Sequence, residues 1–420
     1  MARATLPSPN SGASRKNSDC ASVVIVNLSA FKRAIPWLRL ALGIFCVALG
    51  LLPFVPAPTR IFWLLAVGMT EWGHYIALLC LLPLLPGLRA SRPALVGAAL
   101  GCVGICLALS TIVRASLLSG EIRAGVESAF GTVQPRSTED APPRAAPLVW
   151  SDLVLGISCP PVKRSSVDYA SPGGSALAMD VYTPPQSSSS KPAPVLVVIH
   201  GGAWRGGDRT ELPRINLYLA SRGYFVASID YRLAPTFRFP IASEDVQAAI
   251  AYLKANATAL NLDAKRIALL GRSAGGHLAL LHAYTSNDPA IRGVVAIYSP
   301  TDLVYAYDHP CNPRVLDSTA VLESFLGGNP GSFADAYRSG SPLNFVTPAA
   351  PPTLLIHGDR DDVVPVVHSE RLDQRLTEAG VKHYFLRIPW GNHGCDANLS
   401  GPGGQLSLYA IERFLAAVLR

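Results

Sequence analysis

Arg266-Ile267-Ala268-Leu269-Leu270-Gly271-Arg272-Ser273-Ala274-Gly275-Gly276 is the stretch on which the reading of this 420-residue chain turns. Arg266–Gly271 reads as a buried strand, and the residues after Ser273 read as a helix reaching Tyr284. Between them lies G-x-S-x-G, with Gly271 and Gly275 as its glycines. A serine on a sharp strand-to-helix turn has its oxygen pushed out above a sheet, and small flanking residues let the backbone bend. The amide of Ala274 then falls at a helix N-terminus, where it can stabilise a developing oxyanion.

Working outward, strands and helices alternate. Val167–Tyr169 and Leu177–Tyr182, joined through Ser171-Pro172-Gly173-Gly174, form a hairpin. Pro194–His200, Tyr224–Tyr231, Gly293–Tyr298, Pro352–His357 and His383–Ile388 read as strands. Glu211–Arg222, Ala242–Leu260, Val366–Ala379 and Gln405–Leu419 read as helices. Such alternation predicts an α/β fold, a mostly parallel sheet flanked by helices.

Chemistry-bearing residues recur at the strand ends. His200-Gly201-Gly202-Ala203-Trp204 follows one strand, and its glycines let amides point at a substrate carbonyl. Gly202, Ala203 and Ala274 are thus the expected oxyanion hole, with His200 fixing the loop. His357-Gly358-Asp359-Arg360-Asp361-Asp362 follows another strand and offers three acids to orient a histidine, Asp361 fitting best by position. Gly391-Asn392-His393-Gly394 follows the last strand. The chain order Ser273, Asp361, His393 suits a nucleophile, its orienting acid and its base.

Together with Asp230-Tyr231-Arg232-Leu233-Ala234-Pro235, Ser341-Pro342 and Pro351–Gly358, these motifs resemble an α/β-hydrolase of the esterase/lipase superfamily. The branch is that related to hormone-sensitive lipase, feruloyl esterase and prenylcysteine methylesterase-like enzymes. The resemblance runs from about Ser165 to the C-terminus. Ala203 replaces the third glycine of the lipase-type loop, and Thr236 stands where a Glu is common. The resemblance implies an α/β-hydrolase fold and a carboxylic ester hydrolase with a Ser273-His393-Asp361 triad, an acyl-enzyme intermediate, no cofactor and no metal. Its substrate would be a small or lipid-like ester. Thr301–Leu343 is the expected cap, with Trp204, Tyr305, Tyr307 and Phe325 as candidate substrate-pocket residues. An acyltransferase on the same nucleophile, or a catalytically idle binding protein of the same fold, are the alternative functions.

The N-terminal third differs in composition. Residues 1–150 carry 13 Lys and Arg against 6 Asp and Glu, whereas residues 151–420 carry 23 of each. The basic balance is therefore local, which argues for a membrane partner and against nucleic acid. Residues 1–35 read as a disordered basic segment. Pro36–Val55, Ile61–Leu85 and Pro93–Val113 are apolar runs long enough to cross a bilayer, making 36–118 a three-helix transmembrane region. Residues 119–147 read as a tether to a hydrolase domain at 148–420. Glu71 and His74 lie mid-span, as a proton or substrate site or as glue for the bundle. Gly97, Gly101 and Gly104 offer a small-residue packing face. With the N-terminus inside, seven Lys and Arg fall on the cytoplasmic side against three opposite, so the catalytic domain is expected on the exoplasmic or periplasmic face. A Cys311–Cys395 disulfide would suit that compartment. Oligomeric state is left open.

Overall fold

The computed structural model describes residues 18–85, 91–137, 142–174, 176–185 and 191–420. Of the segment expected to be disordered, residues 1–17 lie outside them, and the rest is helical, because α1 already begins at Ser18. Three helices lead the chain: α1 (Ser18–Leu51), α2 (Arg60–Leu79) and α3 (Arg92–Phe130). All three are long and apolar enough to cross a membrane.

The chain divides into two compact units. One comprises residues 1–48 and 78–106 and contains the first part of α1 and of α3. There Gly97 leaves no room for a Cβ against the Arg39 backbone, and Gly104 sits against Cys46 and Cys80. Without side chains these helices approach closely, which suits association in a setting with little hydrophobic drive.

The second unit, residues 49–77 and 107–420, holds the sheet. Its strands are β1 (Lys163–Ala170), β2 (Leu177–Thr183), β3 (Ala193–Ile199), β4 (Phe225–Ile229), β5 (Leu262–Arg272), β6 (Ile291–Ile297), β7 (Thr353–Gly358) and β8 (His383–Ile388), in the order β1-β2-β4-β3-β5-β6-β7-β8. The pairs β1–β2 and β2–β4 are antiparallel and the rest parallel. The remaining helices are α4 (Trp150–Leu155), α5 (Pro213–Ser221), α6 (Ile241–Ala255), α7 (Ala274–Thr285), α8 (Leu303–Asp308), α9 (Ser318–Leu326), α10 (Ala334–Ser339), α11 (Val367–Glu378) and α12 (Pro402–Val418). Every residue of β3 is buried. Val195, Val197 and Ile199 face a core shared with α6, α7 and α11. Leu196 and Val198 face a second core with α5 and α12. A strand covered on both sides reads as a continuous apolar run, as this one does.

From β3 the chain moves out to β4 and returns to β5 on the other side. That reversal opens a crevice at the C-terminal ends of β3 and β5, where open α/β sheets place their ligands. The glycine loop and the Ser273 turn both emerge there. Helices α8, α9 and α10 form the insertion between β6 and β7.

Two expectations need correction. The stretch read as a tether is partly helix, because α3 continues to Phe130. Ala115, Ile122 and Val126 repeat at helical spacing and are buried in the second core, and Phe130 meets Phe414 edge-on at 5.0 Å. Further on, Arg144 is buried and bonds Gln405 at 2.6 Å and Asp152 at 2.8 Å. Secondly, Glu71, read as a mid-span acid, lies against the hydrolase. Trp63, Val67, Glu71 and Tyr75 recur every four residues on one face. Glu71 is fully buried and accepts from the Gly404 amide at 3.4 Å, over the first turn of α12. Asn398 donates to the Glu71 carbonyl at 3.0 Å, and the Tyr75 hydroxyl donates to Leu153 at 3.0 Å. The acid in the apolar run thus meets the first-turn amides of a neighbouring helix, α12, rather than His74.

Candidate active site

Ser273 joins β5 to α7 with φ 52° and ψ −121°. A left-handed φ is unfavourable for a residue with a Cβ, and such strain concentrates where a side chain must be aimed. The turn closes because Gly275 passes directly under the Ile199 and His200 carbonyls and leaves no room for a side chain. The Ser273 amide donates to Ile297 at 2.9 Å, tying the turn to β6.

The turn aims the Ser273 hydroxyl at His393, with Oγ 2.9 Å from Nε2. His393 Nδ1 stands 2.8 Å from Asp361 Oδ2. Asp361 is the acid that the fold brings to the histidine. Asp359 instead pairs with Arg387 at 2.9 Å, and Asp362 accepts from Asn392 Nδ2 at 2.7 Å. The second oxygen of Asp361 accepts the Val363 and Val364 amides, each at 2.8 Å. Burial alone would raise this carboxyl, but the charge and hydrogen bonds of His393 and His357 outweigh it and hold it below the usual carboxylate range. It is thus an anion able to accept from His393 Nδ1 and leave Nε2 free as a base.

The glycine loop lies opposite. Gly202, Ala203 and Trp204 have φ of 106°, 54° and 54°. Gly201 donates its amide to Glu211 at 2.7 Å. Among the described residues the amides of Gly202, Ala203 and Ala274 have no acceptor. His200 stacks on Tyr231 at 4.3 Å and its Nδ1 reaches the Gly201 carbonyl at 2.7 Å, so it stiffens the loop rather than facing Ser273.

Two cavities meet at Ser273. The inner one, about 500 Å³ with its opening to solvent, is mainly apolar and is lined by Ala203, Trp204, Ala274, Leu316, Val321, Leu322 and Val363 among others. The outer one, about 1680 Å³ with its open mouth, contains His393, the glycine loop and Trp63, Leu64 and Val67 of α2. Of the four candidate pocket residues, Trp204 lines the inner cavity and the other three lie outside both. Phe325 is buried behind Trp204, stacked on it at 4.4 Å. Tyr305 stacks on His309 at 4.0 Å. Tyr307 bonds Glu323 at 2.8 Å. An aromatic in an insertion serves as readily to pack that insertion, which is their role here. The disulfide considered for Cys311 and Cys395 is absent, both being free thiols. Cys395 is fully enclosed in the second core, and Cys311 turns its sulfur to the Leu316 carbonyl at 3.0 Å.

Several residues around the site escaped the sequence reading. Arg272 and Asp396 form an ion pair at 2.5 Å, with side chains 3% and 4% exposed. Tyr298 donates to Asp396 at 2.7 Å and lies 4.4 Å from the His393 ring. His277 accepts from Trp204 Nε1 at 3.2 Å and faces the Gly340 carbonyl through Nε2 at 2.6 Å. The available signal was a charge in an apolar turn: an arginine beside the nucleophile calls for an acid.

Fold and site together define an α/β-hydrolase architecture, and the comparisons agree. The BD-FAE family model matches residues 179–376. The chain is 36% identical over 247 residues to esterase LipC of Mycobacterium tuberculosis, covering 55% of this chain and 60% of LipC. It is 30% identical over 273 residues to the probable carboxylic ester hydrolase LipM of the same organism, covering 60% of this chain and 62% of LipM. The chain therefore spans about three fifths of the length of these relatives. Among solved structures, the esterase of Pyrobaculum calidifontis superposes with a TM-score of 0.54 at 25% identity, over 61% of this chain and 85% of that one.

Proposed function

We propose that the chain is a membrane-anchored serine carboxylic ester hydrolase. The observation that carries the reading is the relay from Ser273 Oγ to His393 Nε2 at 2.9 Å and from His393 Nδ1 to Asp361 at 2.8 Å. The esterase relatives support the ester substrate.

His393 takes the Ser273 proton as Oγ bonds the ester carbonyl carbon, and the carbonyl electron pair moves onto oxygen. The amides of Gly202, Ala203 and Ala274 receive that oxyanion; losing one such donor lowers turnover by about 10²–10³ in comparable sites. The carbon–alkoxy bond then breaks and His393 returns the proton to the departing alcohol, leaving an acyl-serine. Water attacks next, its proton passing to His393, and acid release restores the hydroxyl. Asp361 stays ionised throughout and orients the imidazole. The steps use these groups and water alone.

Three long apolar helices support anchoring in a membrane. Reporter fusions after residue 150 place the hydrolase: an active alkaline phosphatase with a silent cytoplasmic reporter puts it on the exoplasmic or periplasmic face, and the reverse puts it in the cytoplasm. For the chemistry, a fluorophosphonate probe should label the wild type and leave Ser273→Ala blank, with ester turnover lost in parallel. Equal labelling of the two proteins removes Ser273 as nucleophile.

A further inference from the structure

The two cavities at Ser273 are not equivalent, because His393 stands in only one of them. In acyl transfer the leaving alcohol must accept a proton from the histidine that first served as base. The alcohol therefore lies on the His393 side, in the outer cavity, and the acyl chain occupies the inner one. One wall of the outer cavity is α2, through Trp63, Leu64 and Val67.

This wall is held in place. Trp63 Nε1 donates to the His393 carbonyl at 3.2 Å. Glu71 and Tyr75 fasten the same helix further along, as described above. Ahead of it, Asn312 donates to the Ala57 carbonyl at 3.1 Å, and the Arg60 amide donates to Arg314 at 3.0 Å, joining the start of α2 to the cap. The cavity also opens onto apolar surface: Leu64 is 52% exposed and Ile61, one turn earlier, 68%. A polar alcohol would leave the tryptophan and leucine faces wet. An apolar chain on the leaving oxygen would cover them and gain from burial.

Building on the serine hydrolase reading, we propose that α2 is the leaving-group wall of the active site, that the preferred substrates are esters of long apolar alcohols, and that Trp63 and Leu64 set this preference. A helix apolar enough for a membrane span thereby supplies substrate specificity, and the alcohol chain reaches Ser273 along its exposed face.

The test uses the full chain in mixed micelles, with ethyl and decyl butyrate at equal mole fraction, so that the acyl group is constant. The readout is the decyl-to-ethyl ratio of kcat/KM, which cancels any common loss. Wild type should favour decyl. Trp63→Ala and Leu64→Gln should each lower the ratio by about tenfold or more, the scale of discrimination by apolar contacts in a pocket. The ratio between ethyl acetate and ethyl hexanoate should stay as in wild type. Leu64→Gln keeps the Trp63 hydrogen bond and changes a half-exposed side chain, so it reads out even where Trp63→Ala disturbs folding; fluorophosphonate labelling of Ser273 scores the folded fraction. An unchanged alcohol ratio in Leu64→Gln, or a shift in the acyl ratio instead, overturns the assignment of α2 while leaving the triad standing. A wild type that neither labels nor hydrolyses any ester overturns both.

Discussion

Removing the Asp396 carboxylate should destabilise the hydrolase more than removing almost any other single charge. Asp396 follows His393 by three residues, and Arg272 directly precedes Ser273. Their 2.5 Å ion pair therefore joins the histidine loop to the nucleophile turn from below. Both side chains are almost wholly enclosed. Burial works against the Arg272 charge, but Asp396 outweighs it and keeps the guanidinium ionised. Asp396→Ala leaves that guanidinium buried without a counter-charge and deprives the Tyr298 hydroxyl of its acceptor. Breaking a buried pair from one side costs about 3–5 kcal/mol. At roughly 2 °C per kcal/mol for a domain of this size, the melting temperature should fall by about 6–10 °C. Arg272→Met combined with Asp396→Leu removes both charges and should recover at least half of the loss, since a buried pair replaced by apolar groups is often near neutral. Scanning fluorimetry of the full chain in detergent, beside ester turnover, measures both. An Asp396→Ala melting temperature within 2 °C of wild type would refute the reasoning; so would a double variant as unstable as the two single effects combined.

Other expectations follow from the same geometry. Asp361→Asn should lower turnover by about 10⁴, the scale for losing a triad acid, whereas Asp359→Asn and Asp362→Asn should retain most activity; steady-state rates on one short ester decide the order. His277 is pushed down to about 4 by burial, against the Gly340 hydrogen bond. Its neutral ring is thus favoured by folding, and the associated stability is complete above about pH 6.5 and lost as pH falls towards 4, by about 3 kcal/mol at 1.36 kcal/mol per unit. His282 and His368, also pushed down by burial, add slopes of the same sign, so thermal melts across that window should be shallower in His277→Gln than in the wild type; an equal slope in the variant rejects the assignment. Both Cys311 and Cys395 should alkylate in unfolded, unreduced protein, and a linked peptide in a mass map would contradict their free state.

The parts of this molecule that were legible in its sequence share a cause. β3 is apolar throughout, and β5 from Ile267 to Leu270, because both are covered on both faces there, and a buried strand has no polar side to blur its signal. The Ser273 turn was legible because crowding under the Ile199 and His200 carbonyls admits only Gly at position 275, so geometry is written directly into residue type. Asp361 could be preferred over its neighbours by position, yet only the loop amides of Val363 and Val364 show why it turns inward. What stayed illegible depends on pairs far apart in the chain. Arg272 and Asp396 are 124 residues apart, and neither residue alone says that the other neutralises it. Helix α2 is the sharper case. Its hydropathy describes a membrane span, and hydropathy is blind to which face a helix shows to a partner. The residue that did not fit, Glu71, was the trace of that partner: a carboxylate in an apolar helix needs donors, and the first turn of α12 has unpaired amides. The glycines at 401 and 403 carry the same information from the other side, since a Cβ at either would crowd the Glu71 side chain. An acid in one apolar segment and a glycine-rich helix start in another thus form a single docking device, and that device sets α2 against the mouth where the leaving alcohol must pass.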